Sequence, residues 1–349
     1  MLHVTNGDSA AEGLTQSGLS GDVLPWRDVL HDGPVPSDED REAFQRTRSQ
    51  FIAGNDWASE QSVLDDLKSR DSRLDRGMSD DAIVLWFEPD LYDQLQLIQI
   101  LSRLAKPESR ERVMLSIVPA DVLLGPLSPS GFPPLFDARR LVLDEDLEHA
   151  GASWRAFTSA TPDALVAMQA RLEAEIAARA YADDAGTRLP HLAAALRRML
   201  EEYPDATTGL SRSERQICEV LASGPRKLSE LYPASHHAVE KWTWLGDWSF
   251  ADYVSRVSEC ARPLITDVNG ASVPRRATHR DEKSFWQRTL ILTPFGTDVL
   301  QGRADAVAAN GIDKWIGGAH LTTDRHWRWD PATQRTDARS TKPSPTALS

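Results

Sequence analysis

Ala82-Ile83-Val84-Leu85-Trp86-Phe87, followed by Glu88-Pro89-Asp90 and residues 91–104, is the stretch that decides the fold class. Six apolar residues without alternation predict a strand covered on both faces. Leucine or isoleucine then recurs at 91, 95, 98, 101 and 104, which is helical spacing. Outward from this unit, Leu2–Thr5 predicts a first strand, Asn6-Gly7-Asp8-Ser9 a break and Ala10–Gln16 a short helix. A second strand is expected over Asp22–Leu30, ending in the turn His31-Asp32-Gly33-Pro34. Helices are expected around 38–54 and 57–70, and a fourth strand over Val113–Val118. Strands alternating with helices predict an α/β fold with a mostly parallel sheet, Rossmann-like or flavodoxin-like.

Ligands of such sheets bind beyond the carboxyl ends of the strands. Asn6, Gly7, Asp8 and Ser9 follow the first strand; Arg27, Asp28, His31 and Asp32 belong to the second; Glu88, Asp90, Asp93 and Gln94 follow the third. Helix caps and turns explain part of this set: Ser9 with Glu12 has capping-box spacing, and Asp90 with Asp93 suits the start of the next helix. Arg27 and Asp28 lie within a strand pattern and end nothing. Adjacent strand residues point to opposite faces, so the two are poorly placed to pair with each other.

These residues also resemble a known family. Residues 2–9 (LHVTNGDS), 21–35 (GDVLPWRDVLHDGPV) and 85–95 (LWFEPDLYDQL) resemble the bacterial domain of unknown function 1835. Gly209–Arg215, Leu245-Gly246-Asp247, residues 315–321 (WIGGAHL) and Trp327–Asp330 resemble its companion, domain of unknown function 3658. The family pattern favours a histidine where this chain has Pro89, so a basic ligand is missing there. The resemblance implies domain boundaries and supplies no activity.

The chain has 349 residues, 41% hydrophobic and 26% charged, which is more than one core usually organises. Four segments are expected: an α/β domain over 1–125, a helical connector over 126–205, a winged-helix-like α+β domain over 206–330 and a disordered tail over 331–349. No apolar run is long enough to span a membrane and no signal pattern follows Met1, so a cytoplasmic protein is expected. Two cysteines, Cys218 and Cys260, cannot build a cysteine zinc site or a disulfide framework. Residues 1–120 hold 12 Lys and Arg against 22 Asp and Glu, whereas residues 209–303 hold 13 against 11. The acidic first half argues against direct contact with nucleic acid, and the later segment permits it.

In the second half, Ser211–Ser223, Lys227–Tyr232 and Ser249–Ala261 predict three helices, and Pro263–Asp267 with Thr289–Leu292 a hairpin; this is the outline of a winged helix. Arg275, Arg276, His279, Arg280 and Lys283 fall in its wing, but the third helix offers Arg256 against Asp252 and Glu259. Packing on a protein partner therefore competes with nucleic-acid binding. Trp315, His320, His326, Trp327, Trp329 and Asp330 lack metal-site spacing and read as structural. No phosphate-loop, dinucleotide, nucleophile-elbow or H-E-x-x-H motif is present.

Together these residues predict a small anionic ligand, a phosphate ester or nucleotide, at the strand ends, with metal-assisted hydrolysis or transfer. Backbone N–H groups at Gly7-Asp8-Ser9 and the guanidinium of Arg27 would hold the anion. Asp8, Asp28 and Asp90 would hold Mg²⁺, with His31 and Asp28 as the catalytic groups. The alternative is a ligand-sensing regulator without catalysis, whose winged-helix module binds nucleic acid or a protein partner.

Overall fold

Ala82–Phe87 is buried at every position and forms the middle of a five-stranded sheet. The computed structural model describes residues 1–105, 114–119, 121–181, 188–274 and 282–340. In chain order the first part comprises β1 (Leu2–Thr5), α1 (Asp8–Gln16), β2 (Asp22–Pro25), α2 (Arg41–Gly54), α3 (Glu60–Gly77), β3 (Ala82–Phe87), α4 (Leu91–Leu104), β4 (Met114–Pro119), α5 (Phe132–Asp137) and β5 (Arg140–Leu141). The sheet order is β2-β1-β3-β4-β5, parallel except for β5. Alternate residues of β3 supply two cores. Val84 and Trp86 meet Ala10, Leu14 and Phe132 on one face, while Ile83, Leu85 and Phe87 join the larger core containing α4. That two-sided burial explains the unbroken apolar run.

The second strand is shorter than the sequence predicts, ending at Pro25 rather than Leu30. Its only neighbour, β1, stops at Thr5, whose C=O accepts from the Trp26 N–H at 2.7 Å, and leaves nothing for Arg27 onward to pair with. The Trp26 ring turns inward instead. Its Nε1 donates to Gln99 Oε1 at 3.0 Å and the Arg70 guanidinium lies 3.9 Å from its centroid.

Three helices connect the halves: α6 (Asp144–Phe157), α7 (Asp163–Tyr181) and α8 (Leu192–Leu200). Beyond them come α9 (Arg212–Ala222), β6 (Arg226–Lys227), α10 (Leu228–Tyr232), α11 (Asp247–Ser258), β7 (Ile265–Asp267), α12 (Glu282–Trp286), β8 (Thr289–Leu292), α13 (Pro294–Leu300) and α14 (Ala306–Asn310). Strands β6, β8 and β7 form an antiparallel sheet, one strand more than the expected hairpin. The expected wing residues Arg275, Arg276, His279 and Arg280 lie outside the described residues; Lys283 is exposed on α12.

Residues 331–340 of the expected tail are ordered, and 341–349 lie outside the described residues. Strands β9 (Asp313–Ile316), β10 (Ala319–Thr322), β11 (Arg325–Asp330) and β12 (Arg335–Ser340) form an antiparallel sheet, with Asp330 opposite Arg335 across the last hairpin. The Asp330 carboxylate accepts from the Ala332 N–H and the Thr333 hydroxyl, both at 2.9 Å, and so sets the turn. β12 lacks a large apolar residue because it is an edge strand, and a polar edge reads as tail in sequence.

The β9–β10 turn ties this sheet to the first half. Gly317 C=O accepts from Val35 N–H at 2.9 Å, and Gly318 N–H donates to Phe157 C=O at 3.0 Å. A Cβ on Gly318 would lie 2.0 Å from Thr158 O, a backbone atom that cannot swing aside. Gly318→Ala is therefore expected to lose at least about 1–3 kcal/mol, the usual cost of overpacking. Urea denaturation checks this; an unchanged midpoint would show that the sheet is not pressed against α6.

Candidate functional site

The crossover pattern places the crevice. α1 leaves β1 toward one face and α4 leaves β3 toward the other, so the chain diverges between the carboxyl ends of these adjacent strands. A cavity of about 600 Å³ opens there, lined by Asn6 from the end of β1 and by Glu88, Asp90, Tyr92 and Asp93 from the end of β3. His31 and Trp57 add to this wall. The opposite wall comes from the second half: Tyr232, Trp244, Trp248 and Ser249.

The acidic residues are held in place by the backbone. Asp90 caps α4, its Oδ1 accepting from Asp93 N–H at 2.9 Å. Glu88 Oε1 accepts from Leu124 N–H at 2.7 Å and Asp93 Oδ2 from Glu88 N–H at 2.5 Å. The Asn6 amide bridges the pair, donating to Asp93 Oδ1 at 2.9 Å and to Glu88 Oε1 at 3.3 Å. Gln94 braces the strand end through Glu88 C=O at 2.7 Å and does not line the cavity. Burial raises all three carboxyls. Asp90 is pushed up to about 7 by burial against the pull of the Asp93 N–H, with Glu88 adding to the rise. Glu88 is raised, and Asp93 is raised well above the usual range by burial and by Asp90 and Glu88 beside it. Like charges in a dry crevice cannot all ionise together.

His31 faces this cavity, and its contacts do not form a serine–histidine–carboxylate relay. Ser249 Oγ at 3.3 Å and Asp32 Oδ2 at 3.6 Å both approach Nε2, whereas a relay needs its carboxylate on the other nitrogen. Nδ1 is buried without a partner among the described residues. Burial lowers the His31 pKa, so the ring is neutral at neutral pH. Asp32 is also reached by Arg256 of α11, at 3.6 Å, which docks the two halves.

Several expected site residues are used elsewhere. Asp28 is fully buried and its Oδ1 accepts from Arg48 Nη2 at 2.8 Å and Nε at 3.0 Å, so it is a structural ion, not a catalytic one. Arg27 reaches the surface, where it grips Asp8 at 2.5 Å and Asp66 at 3.0 Å; it does not line the cavity and is not free to hold an anion there. The two charges do not pair with each other, as their strand positions suggested, and the strand's end at Pro25 lets each find its own partner. Gly7, not Ser9, is the N-cap of α1, so the Ser9–Glu12 capping box is not formed. Gly7, Asp8 and Ser9 also lie outside the cavity lining. The Mg²⁺ set of Asp8, Asp28 and Asp90 is not assembled, because Asp8 faces Arg27 and Asp28 faces Arg48. Among the described residues, the one group of three with donor atoms within 4.8 Å is Glu145, His149 and Glu175, elsewhere in the fold.

No family model matches the chain, and no curated protein sequence matches it. The site must be read from its own chemistry. Sequence reasoning found Asn6, His31, Glu88, Asp90 and Asp93 and missed Trp57, Tyr92, Tyr232, Trp244 and Trp248. Residues 242–248 (WTWLGDW) hold three tryptophans in seven positions beside a glycine, a density that marks a recognition loop more readily than a core element.

Proposed function

We propose that this cavity is the functional centre and takes a small molecule bearing a positively charged group, held by Glu88, Asp90 and Asp93 against aromatic rings. The observation that carries the reading is the charge of the walls. Four acidic residues, the three above and Asp247, line the cavity together with Trp57, Tyr92, Tyr232, Trp244 and Trp248, and no lysine or arginine is among the lining residues. Carboxylates with aromatic faces are complementary to ammonium groups. This replaces the anion expected from sequence, whose arginine is committed to Asp8. A phosphate ester or nucleotide would need a divalent ion such as Mg²⁺ to neutralise the carboxyls first.

Because burial pushes the Asp90 carboxyl up to about 7 and raises Glu88 and Asp93 beside it, a cation entering at pH 6.5 must displace protons. Calorimetric titration of the whole chain at pH 6.5 with methylammonium and trimethylammonium, in buffers of differing ionisation enthalpy, should show binding with proton release. Asp90→Asn should weaken it at least about tenfold, as expected for losing a charge-assisted contact of roughly 1.5–3 kcal/mol. Binding of inorganic phosphate or AMP without metal, with silence from the ammonium probes, would overturn the reading. Phosphate binding only with Mg²⁺ would favour the metal-bridged version instead.

The order β2-β1-β3-β4 supports a flavodoxin-like assignment of the first half, and α9, α10 and α11 with the sheet β6-β8-β7 support a winged helix. The resemblance to the bacterial domains of unknown function 1835 and 3658 and a cytoplasmic setting are retained as expectations. One feature favours a packing module over a nucleic-acid reader. Helix α11 stands where a winged helix carries its groove-reading helix, and nine of its twelve residues are buried. Its face is spent on the first half through Ser249 and Arg256.

A further inference from the structure

A second cavity, of about 580 Å³, meets the first at two shared side chains, Asp90 and Trp244. Its character is different. Leu91 of α4, Ile176 and Ala177 of α7, Ala193 and Ala194 of α8 and Trp242 give it apolar walls. The cations that also line it have partners: Arg198 with Glu202 and Glu240, Arg212 with Glu201 and Glu240, Arg197 with Glu173, and Lys241 over the Trp242 ring. Between the two cavities, Trp244 is 4% exposed and its indole N–H has no acceptor among the described residues. The N–H is itself sealed in this structure, so an acceptor reaches it only if the ring turns, and meeting a buried donor that is otherwise unmet would offset that turn.

We propose that the two cavities form one bipartite site for an amine that carries a hydrogen-bond acceptor and an apolar extension. The ammonium group sits among Glu88, Asp90 and Asp93, the acceptor meets the Trp244 N–H at the junction, and the extension lies along the alanine-lined groove. The proposal rests on the cationic reading of the first cavity and adds the class of molecule. Monoacylated ethylenediamines carry all three features, with an amine, an amide carbonyl and an alkyl chain of adjustable length.

Calorimetric titration of the whole chain with the acetyl, butanoyl and hexanoyl members tests it. Full burial would tighten binding roughly fourfold per methylene, and at least a tenfold gain from acetyl to hexanoyl is expected. Ala194 is exposed on the groove wall, so Ala194→Trp fills the groove without entering a core. That variant should keep acetyl-member affinity and lose the gain with length. Trp244→Phe, which removes the N–H and keeps an aromatic ring, should weaken these amides more than it weakens methylammonium. Equal affinity along the series, with methylammonium still binding, would overturn this inference and leave the cationic site standing. Silence from every amine would overturn both.

Discussion

Arg48→Met is expected to lower the unfolding free energy by about 3–5 kcal/mol, the range for breaking one side of a buried ion pair. Arg48 and Asp28 have no exposed side-chain surface. The guanidinium donates to both sides of its surroundings: to Asp28 Oδ1, and to the backbone carbonyls of Val29 at 3.0 Å, Asp32 at 2.7 Å and Pro34 at 3.1 Å. Methionine fills much of the same space but takes away the hydrogen bonds to Asp28, which keeps only Arg70 at 4.0 Å. It also strands the Asp32 and Pro34 carbonyls and leaves Val29 C=O with the Asp32 N–H alone, in the loop that carries His31 and Asp32. Urea melts measure the loss, and the double variant Arg48→Met with Asp28→Asn should lose clearly less than the sum of the singles, since it removes the stranded charge. A loss under about 1 kcal/mol, the size of an exposed pair, would mean that this pair does not hold the loop.

The second large effect concerns the sign of a pH dependence. Asp90 ionises near 3.8 in an unfolded chain and near 7 in the folded one, mainly because it is buried. Below about pH 4 the carboxyl is protonated in both states, and it contributes its full stabilising share. As pH rises from there through 7 that share is lost, because the unfolded chain releases the proton more readily than the folded one. The difference amounts to about 4 kcal/mol above pH 7, at 1.36 kcal/mol per pH unit. Asp90→Asn removes the titration while keeping a side-chain oxygen able to cap α4. The variant should therefore melt above the parent at pH 8 and match it near pH 4. Equal melting temperatures at both pH values would show that the carboxyl is not held in its protonated form.

How far these features could be read in advance depends on which physical signal each one leaves. The strand Ala82–Phe87 and the helices α4, α6 and α7 announce themselves because burial on two faces, or on one helical stripe, writes a period into the residues. Edge strands do not: β12 and β6 carry polar residues and are strands only because a neighbour offers them a ladder. Of the site, the half built on strand ends was legible, since the α/β pattern states where its crevice must open. Asp28 misled because a strand-end carboxylate and a buried ion look alike until Arg48, twenty residues on, is seen to face it. The aromatic wall was invisible for a related reason. Nothing in the periodicity of residues 232–249 tells which surface of the first half they will lie against.

That division of the cavity has a consequence for how the molecule is held together. Its acidic floor belongs to residues 6–93 and much of its aromatic cover to residues 232–249, so an occupant touches both halves at once. By mass action, an occupant present at a hundred times its dissociation constant would favour the docked arrangement by about 2.7 kcal/mol over one in which the halves part. The reverse holds with the same magnitude: a change that loosens His31 from Ser249, or Asp32 from Arg256, weakens the occupant's grip. On the proposed reading, small molecule and C-terminal half would each strengthen the other's hold, and the chain would behave as a clasp whose strength is set from outside by a concentration.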